Sequence, residues 1–176
     1  MKFSIAPLFA RIIPFSAGSA IARRYLKVLG FGAGADVGSS GEISAMRQAL
    51  VLSGRTATDP LVMFDVGANI GEWTNLAFNA FPDARIVAFE PSETHRIAFR
   101  QNVARRETLS LEAVALAAER STATLYKDMS ISGLASLTKR DLSHVGIDMN
   151  MTEQVQTERL DSFLAEHPDI RTIDYL

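Results

Sequence analysis

The stretch LVMFDVGANIGEWT at residues 61–74 decides the fold, together with ARIVAFEP at residues 84–91. Residues 61–66 are a short apolar run with β-branched members, which is typical of a strand buried on both faces. Gly67 and Gly71 then bracket a turn, and apolar side chains follow at helical spacing. Residues 85–89 form a second apolar strand that ends at Glu90. The order strand, glycine turn, helix, strand predicts a βαβ unit that binds a nucleoside.

The glycine spacing narrows the class of nucleoside. The dinucleotide motif G-x-G-x-x-G does not fit, because the turn reads Gly67-Ala-Asn-Ile-Gly71. The lysine of a P-loop is also missing, which disfavours nucleoside triphosphates. Counted from Asp65, the pattern D-x-G-x-x-x-G resembles the first motif of class I S-adenosylmethionine-dependent methyltransferases. Asn69 stands at their usual middle glycine, and asparagine tolerates the left-handed backbone angles that such a turn requires.

Glu90 is the candidate for binding the ribose. It lies 23 residues after Gly67, at the end of the second strand. Both oxygens of a carboxylate accept hydrogen bonds, so the side chain can hold both ribose hydroxyls, and its charge repels a 2′-phosphate. We expect Glu90 at an exposed strand tip, with little influence on folding.

Five segments resemble the FkbM family of methyltransferases. The most specific are FDVGANIG at residues 64–71 and FEP at residues 89–91; VAL at 114–116, QVQTERLDSF at 154–163 and IDYL at 173–176 also agree. The resemblance implies a Rossmann-like, doubly wound α/β sheet, S-adenosylmethionine as cofactor, and O-methylation of a sugar or secondary-metabolite hydroxyl. The cofactor-binding positions that match are Asp65, Gly67, Ala68, Asn69, Gly71 and Glu90.

The chain departs from the family at two places. Ala117-Ala118 stands where the family often has Gly-Asp, and the family continues from IDYL into Lys-Ile-Asp-x-Glu-Gly. We therefore expect residues 41–176 to be a partial methyltransferase domain whose C-terminal strands are missing, after a helical extension and linker at residues 1–40. Such a chain is expected to be inactive and poorly stable alone, because its first strand lacks a complete neighbour.

Composition limits the chemistry. The 176 residues are 47% hydrophobic and include no cysteine, which excludes disulfides, thiolate catalysis and cysteine–zinc sites. The absence of cysteine fits a reducing compartment, so we predict a cytoplasmic protein. The three histidines show no metal-binding spacing, so no metal site is predicted. A net charge of −2 argues against nucleic-acid binding.

The N-terminal segment differs in charge from the rest. Residues 1–35 hold five basic residues and no acid, and Arg11 interrupts the apolar run, which disfavours a secretory signal or a membrane span. Its amphipathic pattern suits contact of residues 1–30 with an anionic membrane or a partner. The alternatives are a transit peptide and a helical arm that packs on the domain. The apolar face of its first helix consists of Ile5, Leu8, Phe9, Ile12 and Ile13.

The remaining segments are less specific. A third strand is predicted at residues 109–117, extended pieces of an insertion at 122–126 and 153–158, and a fourth strand at 172–176. Ser92 is a good N-cap for a helix after the second strand. Between the extended pieces, residues 130–148 form a polar candidate substrate loop in which His144 is a weak candidate general base. A lone loop histidine is more often simply solvated.

Three functions are compatible with these patterns. The first is a methyltransferase acting on a small molecule or glycan. The second is a catalytically inactive remnant that binds a cofactor or a partner. The third, a nucleotide-binding oxidoreductase, is disfavoured by the glycine spacing.

Overall fold

The computed structural model describes residues 15–28, 41–52, 54–56 and 59–176. The chain divides into two compact units, Met1–Ala49 and Leu50–Leu176. The first unit contains helix α1 (Phe15–Val28) and most of helix α2 (Glu42–Leu52). The predicted helix before residue 14 and nearly all of the linker lie outside the described residues, and the domain boundary at residue 40 stays a prediction. In the parts of the chain that are described, no helix combines the length and apolar character needed to cross a bilayer.

The second unit is a mixed α/β structure, as the sequence predicted. Helices alternate with strands in its first half, and an extended insertion occupies its second half. Its elements are β1 (Val62–Val66), α3 (Glu72–Ala80), β2 (Arg85–Phe89), α4 (Glu93–Asn102), β3 (Leu109–Glu112), β4 (Val114–Leu116), β5 (Ser121–Lys127), a 3-10 turn (Ser143–Val145), β6 (Met151–Glu158) and α5 (Leu160–Glu166).

The first sheet is parallel, with the strand order β1-β2-β3. The last residues of the chain lie along the free edge of β1, where Phe64 N donates to Tyr175 O at 2.9 Å and Asp174 N donates to Val62 O at 2.8 Å. The predicted fourth strand is therefore present as a single parallel bridge between Met63 and Tyr175. β1 therefore lies between β2 and the C-terminal residues, with its carboxyl end beside that of β2.

Helices pack on both faces of this sheet. On one face Phe89 contacts Phe163 of α5, with ring centroids 5.0 Å apart, within a cluster that includes Phe64 and Val87. On the other face Ala88 contacts Phe99 of α4. Successive strand residues point to opposite faces, so both sides of β2 are buried. The complete doubly wound layout that the family resemblance implies stays a prediction.

The prediction of a single third strand at residues 109–117 was wrong, because this segment forms two strands. Residues 109–112 pair with β2 and residues 114–116 pair with β6, with Ala113 between them. The register gives the reason: Glu112 lies opposite Phe89, the last residue of β2. Beyond it β2 offers no further partner, so the chain turns into a second sheet.

The second sheet is the insertion, with the order β4-β6-β5. The two predicted extended pieces pair with each other as the antiparallel strands β5 and β6, and β4 joins β6 in parallel. The insertion is therefore an ordered layer. Its strand ends reach the start of α4, next to Glu90.

Candidate functional site

The glycine turn has the backbone that its sequence predicted. Gly67, Asn69 and Gly71 have φ angles of 82°, 48° and 84°, and all three lie in the left-handed region. The amides of Gly67 and Ala68 donate to Phe89 O at 2.9 and 3.0 Å. The turn after β1 is thereby bonded to the end of β2, and both are located at the carboxyl edge of the parallel sheet.

Gly71 is required for a second reason. A Cβ atom at this position would lie 2.2 Å from Val103 Cγ2 and 2.9 Å from Phe99 Cδ2, so α4 leaves no space for a side chain. A Cβ at Gly67 would meet nothing within 4 Å. Gly71 thus permits helix packing, whereas Gly67 faces open space in which a ligand can approach the backbone.

Glu90 is buried, which corrects the expectation of an exposed strand tip. Only 4% of the residue is exposed. Its Oε2 accepts from Asn69 N at 2.8 Å, and its Oε1 accepts from Ser92 N at 2.8 Å and contacts His95 Nδ1 at 3.3 Å. The carboxylate therefore connects the glycine turn to the start of α4 and contributes to folding as well as to any ligand site.

Asp65 and Ala68 support the turn from within. Asp65 is buried, and its Oδ2 accepts from Thr74 Oγ1 of α3 at 2.6 Å. Ala68 is buried against α4. Both residues were predicted to bind the cofactor, but neither of them lines the small cavity that lies in front of the turn.

A small cavity lies in front of the turn. Its volume is about 110 Å³. The turn contributes Gly67 and Asn69, the residues after β2 are Glu90 and Pro91, and the first turn of α4 contributes His95. The insertion contributes Leu125, Ser132, Gly133 and Ala135. The carbonyl oxygen of the Asn69 side chain, Oδ1, is buried without a hydrogen-bond partner among the described residues. A buried acceptor of this kind requires a donor.

The insertion is bonded to the start of α4 by a cluster that sequence reasoning missed. Lys127, only 4% exposed, places its Nζ 2.6 Å from Glu153 Oε2. Glu153 also accepts from Ser92 Oγ at 2.7 Å and from Glu93 N at 2.8 Å. Ser92 occupies the predicted N-cap position, but its hydroxyl does not cap the helix; the Glu153 carboxylate bonds the helix amide instead. Sixty residues separate these partners, so local pattern gives no signal for the contact.

Partial burial raises the pKa of Glu153, but hydrogen bonds from Lys127, the Glu93 amide and Ser92 outweigh it and lower the pKa to about 2. Glu153 is therefore ionised at neutral pH. Its negative charge lies at the N-terminus of α4, where the helix dipole favours an anion.

His144 is in the 3-10 turn of the insertion and is exposed. It does not line the cavity beside Glu90. The predicted role as a general base stays a prediction. His95, which the sequence did not single out, is the histidine that lines the cavity; its position in the first turn of the helix after Glu90 was the available signal.

Comparison with protein families agrees with this geometry. Residues 65–176 match the model of the methyltransferase FkbM domain, a span that begins at Asp65 and includes the turn, Glu90 and the insertion. No curated protein matches the chain. Since the family model covers well over half of the sequence, the chain belongs to the FkbM methyltransferase family.

Proposed function

We propose that the protein binds S-adenosylmethionine between the glycine turn and Glu90 and transfers its methyl group to a hydroxyl oxygen of a sugar or secondary metabolite. One observation carries the proposal: the Glu90 carboxylate is bonded to the Asn69 amide, so the acid of β2 and the turn of β1 form one cradle. Binding at the carboxyl ends of adjacent parallel strands is the general rule for open α/β sheets. Family membership supports a methyl donor as the ligand.

The residues present fit the nucleoside of this cofactor. The unpartnered Asn69 Oδ1 requires a donor, and Glu90 Oε2 uses only one of its acceptor positions, so a ribose hydroxyl can serve either. No side chain caps α3, whose first turn follows Gly71 directly. Its free amides are suited to a ligand carboxylate, which S-adenosylmethionine carries on its amino-acid part.

S-adenosylmethionine supplies a methyl group on a sulfonium, a reactive donor. The protein's task is then to hold the cofactor and to align the acceptor oxygen with the methyl group. In this proposal Glu90 fixes the ribose, and open space at Gly67 admits the ligand to the backbone. An alcohol acceptor must also lose a proton, and His144 stays the candidate base.

The test is calorimetric titration of the chain with S-adenosylhomocysteine and, separately, with NAD. We expect the first ligand to bind and the second not to bind. Binding of NAD alone would overturn the proposal in favour of an oxidoreductase. Methyl transfer from radiolabelled S-adenosylmethionine to a panel of sugars and phenols tests the second half. Cofactor binding without transfer to any acceptor would favour the inactive binding module.

We also propose that residues 1–30 contact an anionic membrane surface. The α1 sequence contains three basic residues and no acid, and Ile21 and Tyr25, one turn apart, are 61% and 63% exposed. Exposed apolar side chains on a helix whose sequence is basic suit an anionic lipid interface. Sedimentation with phosphatidylserine vesicles, compared with uncharged vesicles, tests this. Equal recovery with both would contradict it. We further propose a cytoplasmic location, which the absence of cysteine supports.

A further inference from the structure

His95 uses both of its ring nitrogens, and the two partners come from different layers of the protein. Nδ1 lies 3.3 Å from Glu90 Oε1, and Nε2 lies 3.0 Å from the backbone nitrogen of Ser132 in the insertion. A backbone amide can only donate, so Nε2 is the acceptor there. The proton of the neutral ring is then on Nδ1, which donates to Glu90.

Ser132 belongs to a loop that covers the cavity, residues 128–135, which we call the roof loop. The backbone pair between Tyr126 and Ser136 closes its base, with bonds of 2.8 and 3.0 Å. Lys127, immediately before it, is fixed by Glu153. Within the roof loop, Met129 and Ile131 are 56% and 47% exposed, whereas Ser132 is buried. Two bonds tie the loop to α4: Thr94 Oγ1 donates to Ser130 O at 3.0 Å, and Ser132 N donates to His95. A partly exposed loop that is tied to the helix beneath it by only a few bonds can lift when those bonds are released.

The carboxylate of Glu90 is nearly saturated while the roof loop is in place. It offers about four acceptor positions. Three are used, by Asn69 N, Ser92 N and His95 Nδ1. Only one remains, whereas a ribose held by both hydroxyls needs two. The His95 bond is the longest of the three, and the other two belong to backbone amides, so the His95 bond is the one that yields to a ligand.

The ring of His95 cannot move independently. It is 1% exposed, and its other nitrogen is bonded to the roof loop. The cavity beneath the loop measures about 110 Å³, while ligand sites of this kind usually measure about 300–1,000 Å³. Admission of a nucleoside therefore requires both more space and a free position on Glu90, and displacement of His95 with the roof loop provides both.

We propose that His95 is a positioning residue that latches the roof loop over the nucleoside site, so that binding the ribose on Glu90 requires release of Ser132. The inference rests on the proposed function for the identity of the ligand. The latch itself consists of contacts that exist without any ligand. Its existence can therefore be tested separately from cofactor binding.

Two substitutions separate the two bonds of the ring. In His95→Asn the amide nitrogen takes the place of Nδ1 and keeps the bond to Glu90, but nothing reaches Ser132. In His95→Gln the amide oxygen takes the place of Nε2 and keeps the bond to Ser132. Hydrogen exchange of the Ser132 amide in the ligand-free chain should be faster in His95→Asn than in the parent and unchanged in His95→Gln. Unchanged exchange in both variants would overturn the latch, whatever the ligand.

Titration with S-adenosylhomocysteine gives the second readout. Because His95→Asn no longer has to open the latch, it should bind about 2- to 10-fold more tightly, which corresponds to one neutral hydrogen bond. His95→Gln keeps the bond to Ser132 but frees one acceptor position of Glu90, so it should also bind more tightly than the parent. A merely structural role predicts weaker binding in both variants, and that result would overturn the proposal.

The parent protein supplies the remaining control if His95→Asn does not fold. Saturating S-adenosylhomocysteine should accelerate exchange of the Ser132 amide, because the ligand displaces its acceptor. Slower or unchanged exchange in the saturated parent would contradict release. If the parent binds no S-adenosylhomocysteine at all, the proposed function fails, and the exchange comparison between parent and variants alone decides the latch.

Discussion

Replacement of Glu90 by alanine should weaken folding and cofactor binding together. The change leaves the part-buried amide of Asn69 and the buried amide of Ser92 without their acceptor, and it also removes the partner of His95. A buried donor left unsatisfied costs about 1–3 kcal/mol, so the two amides together give a loss of about 2–6 kcal/mol. That is a large part of the 5–15 kcal/mol typical for a domain.

Glu90→Gln provides the graded comparison. Its single carbonyl oxygen can still serve Ser92 and His95, but its amide group then faces the Asn69 amide, which is also a donor. One bond of the three is lost, and we expect the unfolding free energy to fall by about 1–3 kcal/mol.

Cofactor affinity in Glu90→Ala should fall about 10- to 150-fold, the equivalent of a bond to a charged acceptor of about 1.5–3 kcal/mol.

Urea unfolding followed by Trp73 fluorescence measures the first effect, and calorimetry with S-adenosylhomocysteine measures the second. Glu107→Ala is the matched control, since Glu107 is an exposed loop glutamate; it should change the unfolding free energy by less than about 0.5 kcal/mol. If Glu90→Ala unfolds at the same urea concentration as this control, Glu90 does not hold the turn, and the reasoning is refuted.

Three further predictions use the same unfolding assay. Gly71→Ala should cost several times more than Gly67→Ala, since both have positive φ but only the Gly71 Cβ would clash, 2.2 Å from a valine methyl; equal losses would contradict this. Thr74→Val removes the hydroxyl that donates to buried Asp65 at 2.6 Å and should lower the unfolding free energy by about 1.5–3 kcal/mol. No loss in this variant would show that the bond does not stabilise the fold. The pKa of Glu153 is lowered from 4.5 to about 2, so its contribution to stability is complete above pH 4.5 and is lost as the pH falls towards 2. In Glu153→Gln the unfolding free energy should depend less on pH between 4.5 and 2. The same pH dependence in the variant and the parent would contradict the stabilising role of Glu153.

Local patterns predicted the parts of the fold that local forces determine. The sequence placed β2 at its observed bounds and Asn69 in a left-handed conformation, because strand hydrophobicity and turn stereochemistry act within a few residues. It also placed Glu90 correctly at the end of β2. It misjudged the burial of Glu90, because the residues that cover it come from the insertion, 42 residues further along at Ser132.

The errors share one physical origin, which is a distant partner that overrides a local preference. Residues 109–117 look like one strand, but the strand changes sheets where β2 ends. Ser92 has the ideal residue type for a helix cap, yet its hydroxyl bonds the Glu153 carboxylate, which takes the helix amide as well. Contacts over such separations leave no periodicity in the sequence, so pattern reasoning cannot find them.

Residues 154–163, a less specific segment of the family resemblance, help to hold the more specific FEP segment at residues 89–91 in place. Strand β6 carries Glu153 to the first amide of α4, and α5 places the Phe163 ring 5.0 Å from that of Phe89, the residue before Glu90. Both elements lie in or next to residues 154–163, which carry no candidate cofactor contact. Their match to the family therefore has a structural explanation: they fix both flanks of a buried carboxylate that accepts three hydrogen bonds. Glu90 is fixed by an aromatic contact before it and by a salt-bridged helix start after it, so its one free acceptor position is held in a fixed direction.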